Sequence, residues 1–163
     1  MFYRLRWPYT ISLVLKENFP ILGSWNTSIL CTDINKAVLN RAKEGKYNQL
    51  EVNRGLPAPL LLKYFTRNGM EYQVKEDLRK LMDFREMNLA TDWPLMPPVD
   101  VLFLRNVLIY FDQEMKKSIL ARVKRVLRPD GYLFLGGAET TMNLDDGFER
   151  VQLGPSSCYK IKK

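Results

Sequence analysis

The stretch from Asp100 to Asp112 reads Asp-Val-Leu-Phe-Leu-Arg-Asn-Val-Leu-Ile-Tyr-Phe-Asp, and it constrains the fold more than any other part of the chain. Val101 to Leu104 is a continuous apolar run, the pattern of a strand buried on both faces. Arg105 and Asn106 then arrive together, before a second apolar run from Val107 to Ile109 and then Tyr110. Burying that polar pair without partners would be costly. The strand is therefore expected to end at Leu104, with the pair on a rim. In open α/β sheets the rim at the carboxyl ends of the strands is where ligands bind. The alternative is an arginine that satisfies loop carbonyls at a strand end, and this stretch alone leaves both readings open.

The rest of the chain supplies strands and helices in alternation. Tyr9 to Phe19 predicts a short helix closed before Pro20, and Ser28 to Ile34 predicts a parallel strand. Asn35 is placed to cap a helix through Lys43, which Gly45 ends. Asp33 then sits at a strand tip just before a helix. A carboxylate there either accepts hydrogen bonds from the hydroxyls of a ribose or stabilises the next helix's N-terminus. Gly45 to Met87 breaks the rhythm. Pro57 and Pro59 precede a helix-like Leu60 to Phe65, Asn68-Gly69 marks a turn, Met70 to Val74 and Asp83 to Met87 are strand-like, and Asp77 to Met82 is ambiguous. This region predicts a small, partly antiparallel insert, whose exposed strand edge could capture a peptide. Ala90 to Pro98 is a proline-rich loop. Asp112 caps an amphipathic helix through Leu127, and Arg128-Pro129-Asp130-Gly131 is a turn. Tyr132 to Leu135 is a buried strand, and Phe148 to Leu153 with Cys158 to Ile161 forms a terminal antiparallel hairpin. The fold class is α/β, a doubly wound sheet with an antiparallel finish.

Length and charge narrow the function classes. A chain of 163 residues is enough for one domain. Its net charge of +7 favours acidic partners, but the basic residues are dispersed, which argues against nucleic acid. There is no histidine, which excludes histidine general bases, Ser-His-Asp triads and histidine zinc sites. Cys31 and Cys158 follow no metal spacing and read as packed thiols of a reducing cytosol. No apolar run approaches the ~20 residues of a membrane span. Arg4 and Arg6 precede the apolar Ile11 to Leu15, but Lys16-Glu17 closes that run and no small-x-small cleavage site follows. A cytoplasmic protein with no metal and no membrane insertion is expected.

Several segments in this order resemble a known family: Thr32-Asp33-Ile34, Gly45-Lys46-Tyr47, Arg54-Gly55-Leu56-Pro57, Lys63-Tyr64-Phe65, Asp83 to Leu89, Trp93-Pro94, Phe103 to Phe111 and Leu127 to Gly131. Together they resemble the CheR-type chemotaxis receptor (protein-glutamate) O-methyltransferases, from about Trp7 onward. The resemblance implies a Rossmann-like methyltransferase sheet, S-adenosylmethionine as cofactor, and glutamate side chains on chemoreceptor cytoplasmic helices as substrate. It implies that Asp33 binds the cofactor ribose, that Asn88 and Leu89 frame the adenine, and that Arg105 and Asn106 line the cofactor pocket. Arg105 and Tyr110 would face the reacting carboxylate. The whole chain, 1–163, would be one partial catalytic domain, and 45–87 its inserted β-subdomain, which in some members docks a receptor's C-terminal peptide.

The chain departs from the family at its start. Pro8-Tyr9 matches the end of the family's Gly-Glu-Glu-Pro-Tyr motif, but Met1 to Trp7 contains no glycine, and Trp7 stands where the family has an acid. The family's first core strand lies in the middle of the sheet, so its absence is expected to leave two neighbouring strands with unpaired edges. A substitute strand from Met1 to Trp7 is the less favoured alternative. The simplest expectation is a chain shortened at its start. Its activity is then in question, and a non-catalytic remnant that binds a receptor peptide through the β-subdomain is the competing reading.

Overall fold

Pro8 lacks an N–H, and a helix's first turn leaves that donor unsatisfied in any case. It stands in the first turn of α1, Trp7–Asn18. The computed structural model describes residues 7–53 and 55–162. The substitute strand at Met1 to Trp7 falls outside them, except for Trp7, which is helical. The chain divides into two units between Met87 and Asn88.

In the first unit, α1 buries Tyr9 and Leu13. A 3-10 helix, Pro20–Ser24, leads to β1, Ile29–Asp33, and α2, Lys36–Glu44. Asn35 caps α2 through Oδ1, which accepts the N–H groups of Ala37 and Val38, and Gly45 ends it at φ 65°. β2 (Lys46–Asn48), α3 (Gln49–Val52), α4 (Ala58–Tyr64), β3 (Phe65–Asn68), β4 (Glu71–Val74), α5 (Glu76–Arg79) and β5 (Met82–Glu86) follow. β2, β4 and β3 form an antiparallel sheet in that order. β5 is not part of it: it runs parallel to β1, from Ile29 opposite Met82 to Asp33 opposite Glu86. The antiparallel insert is thus confined to Lys46 through Val74. Tyr9, Leu13, Tyr47, Val52, Tyr64, Phe65, Val74 and Leu78 make this unit's core. Tyr47 meets both Tyr9 and Phe65 edge-on, at 6.2 and 6.3 Å. The ambiguous segment around Asp77 contains α5, a single helical turn.

In the second unit, β6 (Val99–Leu104), a 3-10 helix (Leu108–Tyr110), α6 (Gln113–Val126), β7 (Leu127–Leu135), β8 (Phe148–Leu153) and β9 (Ser156–Ile161) follow in order. The sheet order is β6-β7-β9-β8, with β6 parallel to β7 and the other pairs antiparallel. Ile119, Leu120 and Val123 of α6 are fully buried in one cluster with Leu104, Leu127, Leu133 and Leu135. Each such side chain contributes roughly 1.5–3 kcal/mol.

β6 and the Arg128–Gly131 turn both depart from expectation. β6 is not buried on both faces: Leu104 is buried with the α6 residues, whereas Val101 and Phe103 remain 45% and 43% exposed. The physical reason is that α6 covers one side of the sheet. On the other side Phe103 stacks on Phe134 at 5.0 Å. Second, Arg128 to Gly131 does not separate helix from strand but lies inside β7. Leu127 pairs with Val99 and Tyr132 with Val101, so Asp100 alone faces the whole Arg128–Gly131 turn, which bulges out of the strand. Gly131 is required in that bulge, because a Cβ there would lie 3.0 Å from the carbonyl oxygens of both Arg128 and Asp100.

Among the described residues β1 pairs only with β5, and β6 only with β7. No helix among them is long and apolar enough to cross a membrane.

Candidate active site

The rim begins where β6 ends. Arg105 is the first residue past Leu104, and Asn106 adopts φ 56°, a left-handed conformation that asparagine tolerates better than most residues. Val107 then leads into the 3-10 helix, whose Leu108 is buried in the core while Tyr110 is 65% exposed. Arg105 and Asn106 are exposed as well. The polar pair therefore sits on a rim at the carboxyl end of a parallel strand, as its sequence context required.

A residue that the sequence reading passed over holds this rim. The Glu139 carboxylate accepts four backbone N–H groups. Oε1 takes those of Val107 and Leu108, at 2.8 and 2.7 Å. Oε2 takes those of Asn106 and Gly136, at 2.7 and 2.6 Å. Gly136 follows directly on β7, and its carbonyl accepts the N–H of Glu139 at 2.9 Å. The available signal was an acid three residues past a glycine that ends a buried strand.

Asn88 and Leu89 open the second unit. The Asn88 side chain closes a local turn by accepting the Ala90 N–H at 2.9 Å. The Leu89 carbonyl accepts from Trp93 Nε1 at 3.3 Å and from Arg122 Nη1 at 3.2 Å. Arg122 is a largely buried residue of α6, with Asp92 at 4.0 Å from its guanidinium. This backbone is therefore held from two sides, and Leu89, Trp93 and Val107 all pack against the α6 core. Arg122 was also not foreseen, since nothing in its sequence neighbourhood marks it apart from the other cations of the helix.

Asp33 belongs to the first unit, as the last residue of β1. Its Oδ1 accepts the Asn35 N–H at 2.9 Å, so the acid braces the residue that caps α2. Oδ2 enters no hydrogen bond among the described residues. Of the six predicted site residues, Asn88, Leu89, Arg105, Asn106 and Tyr110 lie on the second unit and Asp33 on the first.

Residues 6–155 match the family described as CheR methyltransferase, SAM binding domain, where SAM is S-adenosylmethionine. The chain belongs to this family. It is 38% identical over 160 residues to chemotaxis protein methyltransferase 1 of Pseudomonas aeruginosa, covering 95% of this chain and 58% of that protein. It is 34% identical over 162 residues to the chemotaxis protein methyltransferase of Escherichia coli, covering 96% and 54%. A glycopeptide N-methyltransferase solved with S-adenosyl-L-homocysteine superposes with a TM-score of 0.44 at 14% identity, over 89% of this chain and 48% of that one. The chain thus spans about half the length of the curated family relatives it matches.

Proposed function

We propose that this chain carries the cofactor- and substrate-binding rim of a cytoplasmic S-adenosylmethionine-dependent protein-glutamate O-methyltransferase acting on chemoreceptor helices. The observation that carries this reading is the Arg105-Asn106 bend, exposed at the end of β6 on a backbone tied down by three hydrogen bonds to Glu139. The residues present fit the cofactor in part. Asp33 has a carboxylate oxygen to offer vicinal hydroxyls, and Asn88, Leu89 and Asn106 lie on held backbone. Against this, no glycine precedes Gly23 to let a backbone approach the cofactor closely.

The bound cofactor would supply a methyl group already activated on a sulfonium sulfur. A glutamate side chain, with a reference pKa near ~4.3, is already anionic at neutral pH. It needs no general base, so a chain without histidine meets the requirement. What the protein must provide is a cation and alignment. Arg105 would hold the carboxylate with its planar fork of donors, and Tyr110 would add a hydroxyl. The net charge of +7 suits an acidic helical substrate.

Titration calorimetry with S-adenosylhomocysteine tests the reading. Micromolar binding that is lost in Asp33→Ala is expected, and no binding by a folded, monomeric sample would overturn it. Arg105→Ala should lower methyl transfer to receptor helices by about 100-fold, since alignment of the reacting carboxylate is lost.

A second reading rests on the insert. β2 and β3 are each paired on one side only, with β4, and Thr66, Arg67 and Asn68 of β3 are exposed. Such an edge, open among the described residues, can take an extended receptor tail as an added strand. Retention of the protein on an immobilised tail peptide is expected, and failure at high peptide concentration would end this reading.

A further inference from the structure

We propose that Glu139 is the positioning residue of the rim: its carboxylate occupies the amide nest at the end of β6 and so sets the backbone from which Arg105 projects. This rests on the reading of Arg105 as the group that holds the substrate carboxylate. A bend lined with N–H groups is a ready anion site. Here the anion is part of the chain, so those amides are not available to the substrate, whose carboxylate must be held by side chains.

The geometry is specific to a carboxylate of this length. Each oxygen accepts two N–H groups, and the four donors come from two segments, 106–108 and 136. One side chain thereby staples the loop after β6 to the end of β7. A non-glycine residue in the left-handed region persists only where its surroundings over-determine it. At Asn106 the hydrogen bonds on its own N–H and on the next two supply that constraint. Gly136 makes the approach possible, because a Cβ there would stand 2.6 Å from Glu139 Oε2 and 2.9 Å from the Asn106 nitrogen. A glutamine has the same shape, but its NH2 would turn donors toward donors on one side of the nest. An aspartate is one methylene too short to reach both segments.

The test uses the full chain with Glu139→Gln, and Glu139→Asp in case the first variant fails to fold. Amide hydrogen exchange is expected to quicken about tenfold or more at Asn106, Val107, Leu108 and Gly136, while Ile119 and Leu120 in α6 keep their protection. Gly136→Ala should reproduce that pattern. In a sample active on receptor helices, Glu139→Gln should raise KM for the receptor about tenfold, and Glu139→Asp, whose carboxylate can still serve one of the two segments, should raise it less. Unchanged exchange at the four amides overturns the proposal. So does quickened exchange with the wild-type receptor KM. If the wild-type chain binds no S-adenosylhomocysteine, the proposed function fails instead, and the exchange pattern still decides whether the bend depends on Glu139.

Discussion

Single residues carry chemistry that burial decides. Burial pushes the Tyr9 hydroxyl up to about 12, although the nearby Arg79 cation pulls it down. The hydroxyl donates to the Ala42 carbonyl at 2.8 Å. The folded state therefore holds this proton more tightly than the unfolded chain does. Tyr9's contribution to stability is complete below about pH 10 and is lost as pH rises through about 12. Denaturation followed across that range should show the fall, and Tyr9→Phe should flatten part of it. Cys31 behaves similarly: burial, with the Asp83 carboxylate adding to it, pushes the thiol up to about 12. Since the thiolate is the reactive form, Cys31 should react with a disulfide reagent at neutral pH more slowly than a free thiol. Reaction at the rate of a free thiol would show that its surroundings do not hold the half-buried thiol protonated. Arg105 and Asn106 were legible at this scale because a polar pair among apolar neighbours has few places to go. Glu139 was not, because what marks it is a set of backbone donors that only folding gathers around it.

Elements were legible in proportion to their length. α2 and α6 announce themselves through Asn35 and Asp112, whose side chains cap them as their positions required. Asp112 Oδ1 accepts the Met115 N–H at 2.8 Å, so Asp112→Ala should cost about 1 kcal/mol, measured by denaturant titration. β2, α3 and β3 have only three or four residues each, too few to leave a hydrophobic period. Their existence depends on Tyr47, Val52 and Phe65 reaching a common core. The Arg128–Gly131 turn was recognised by composition, yet its place inside β7 follows from β6, which pairs with the strand on both sides of the bulge.

The whole molecule has a hydrophobic core in each unit, one around Leu78 and one around Leu133. Both leucines are fully buried, so truncating either to alanine should cost about 2–5 kcal/mol. Amide exchange should quicken in β2, β3 and β4 for Leu78→Ala and in β6, β7 and β9 for Leu133→Ala. The same slow amides failing in both variants would show one cooperative core instead. The α/β class, the capped helices, the terminal hairpin and a rim at Arg105-Asn106 were all readable from the amino-acid order. These follow from periodicity, turn chemistry and the cost of burying polar groups, which act over a few neighbouring residues. Folding alone reveals that β5 joins β1 rather than the insert, that β6 leaves one face open, and that Glu139 fills the amide nest behind Arg105. Those outcomes depend on which strands find partners and which backbone donors converge on one carboxylate, and groups distant in the chain meet only once it has folded.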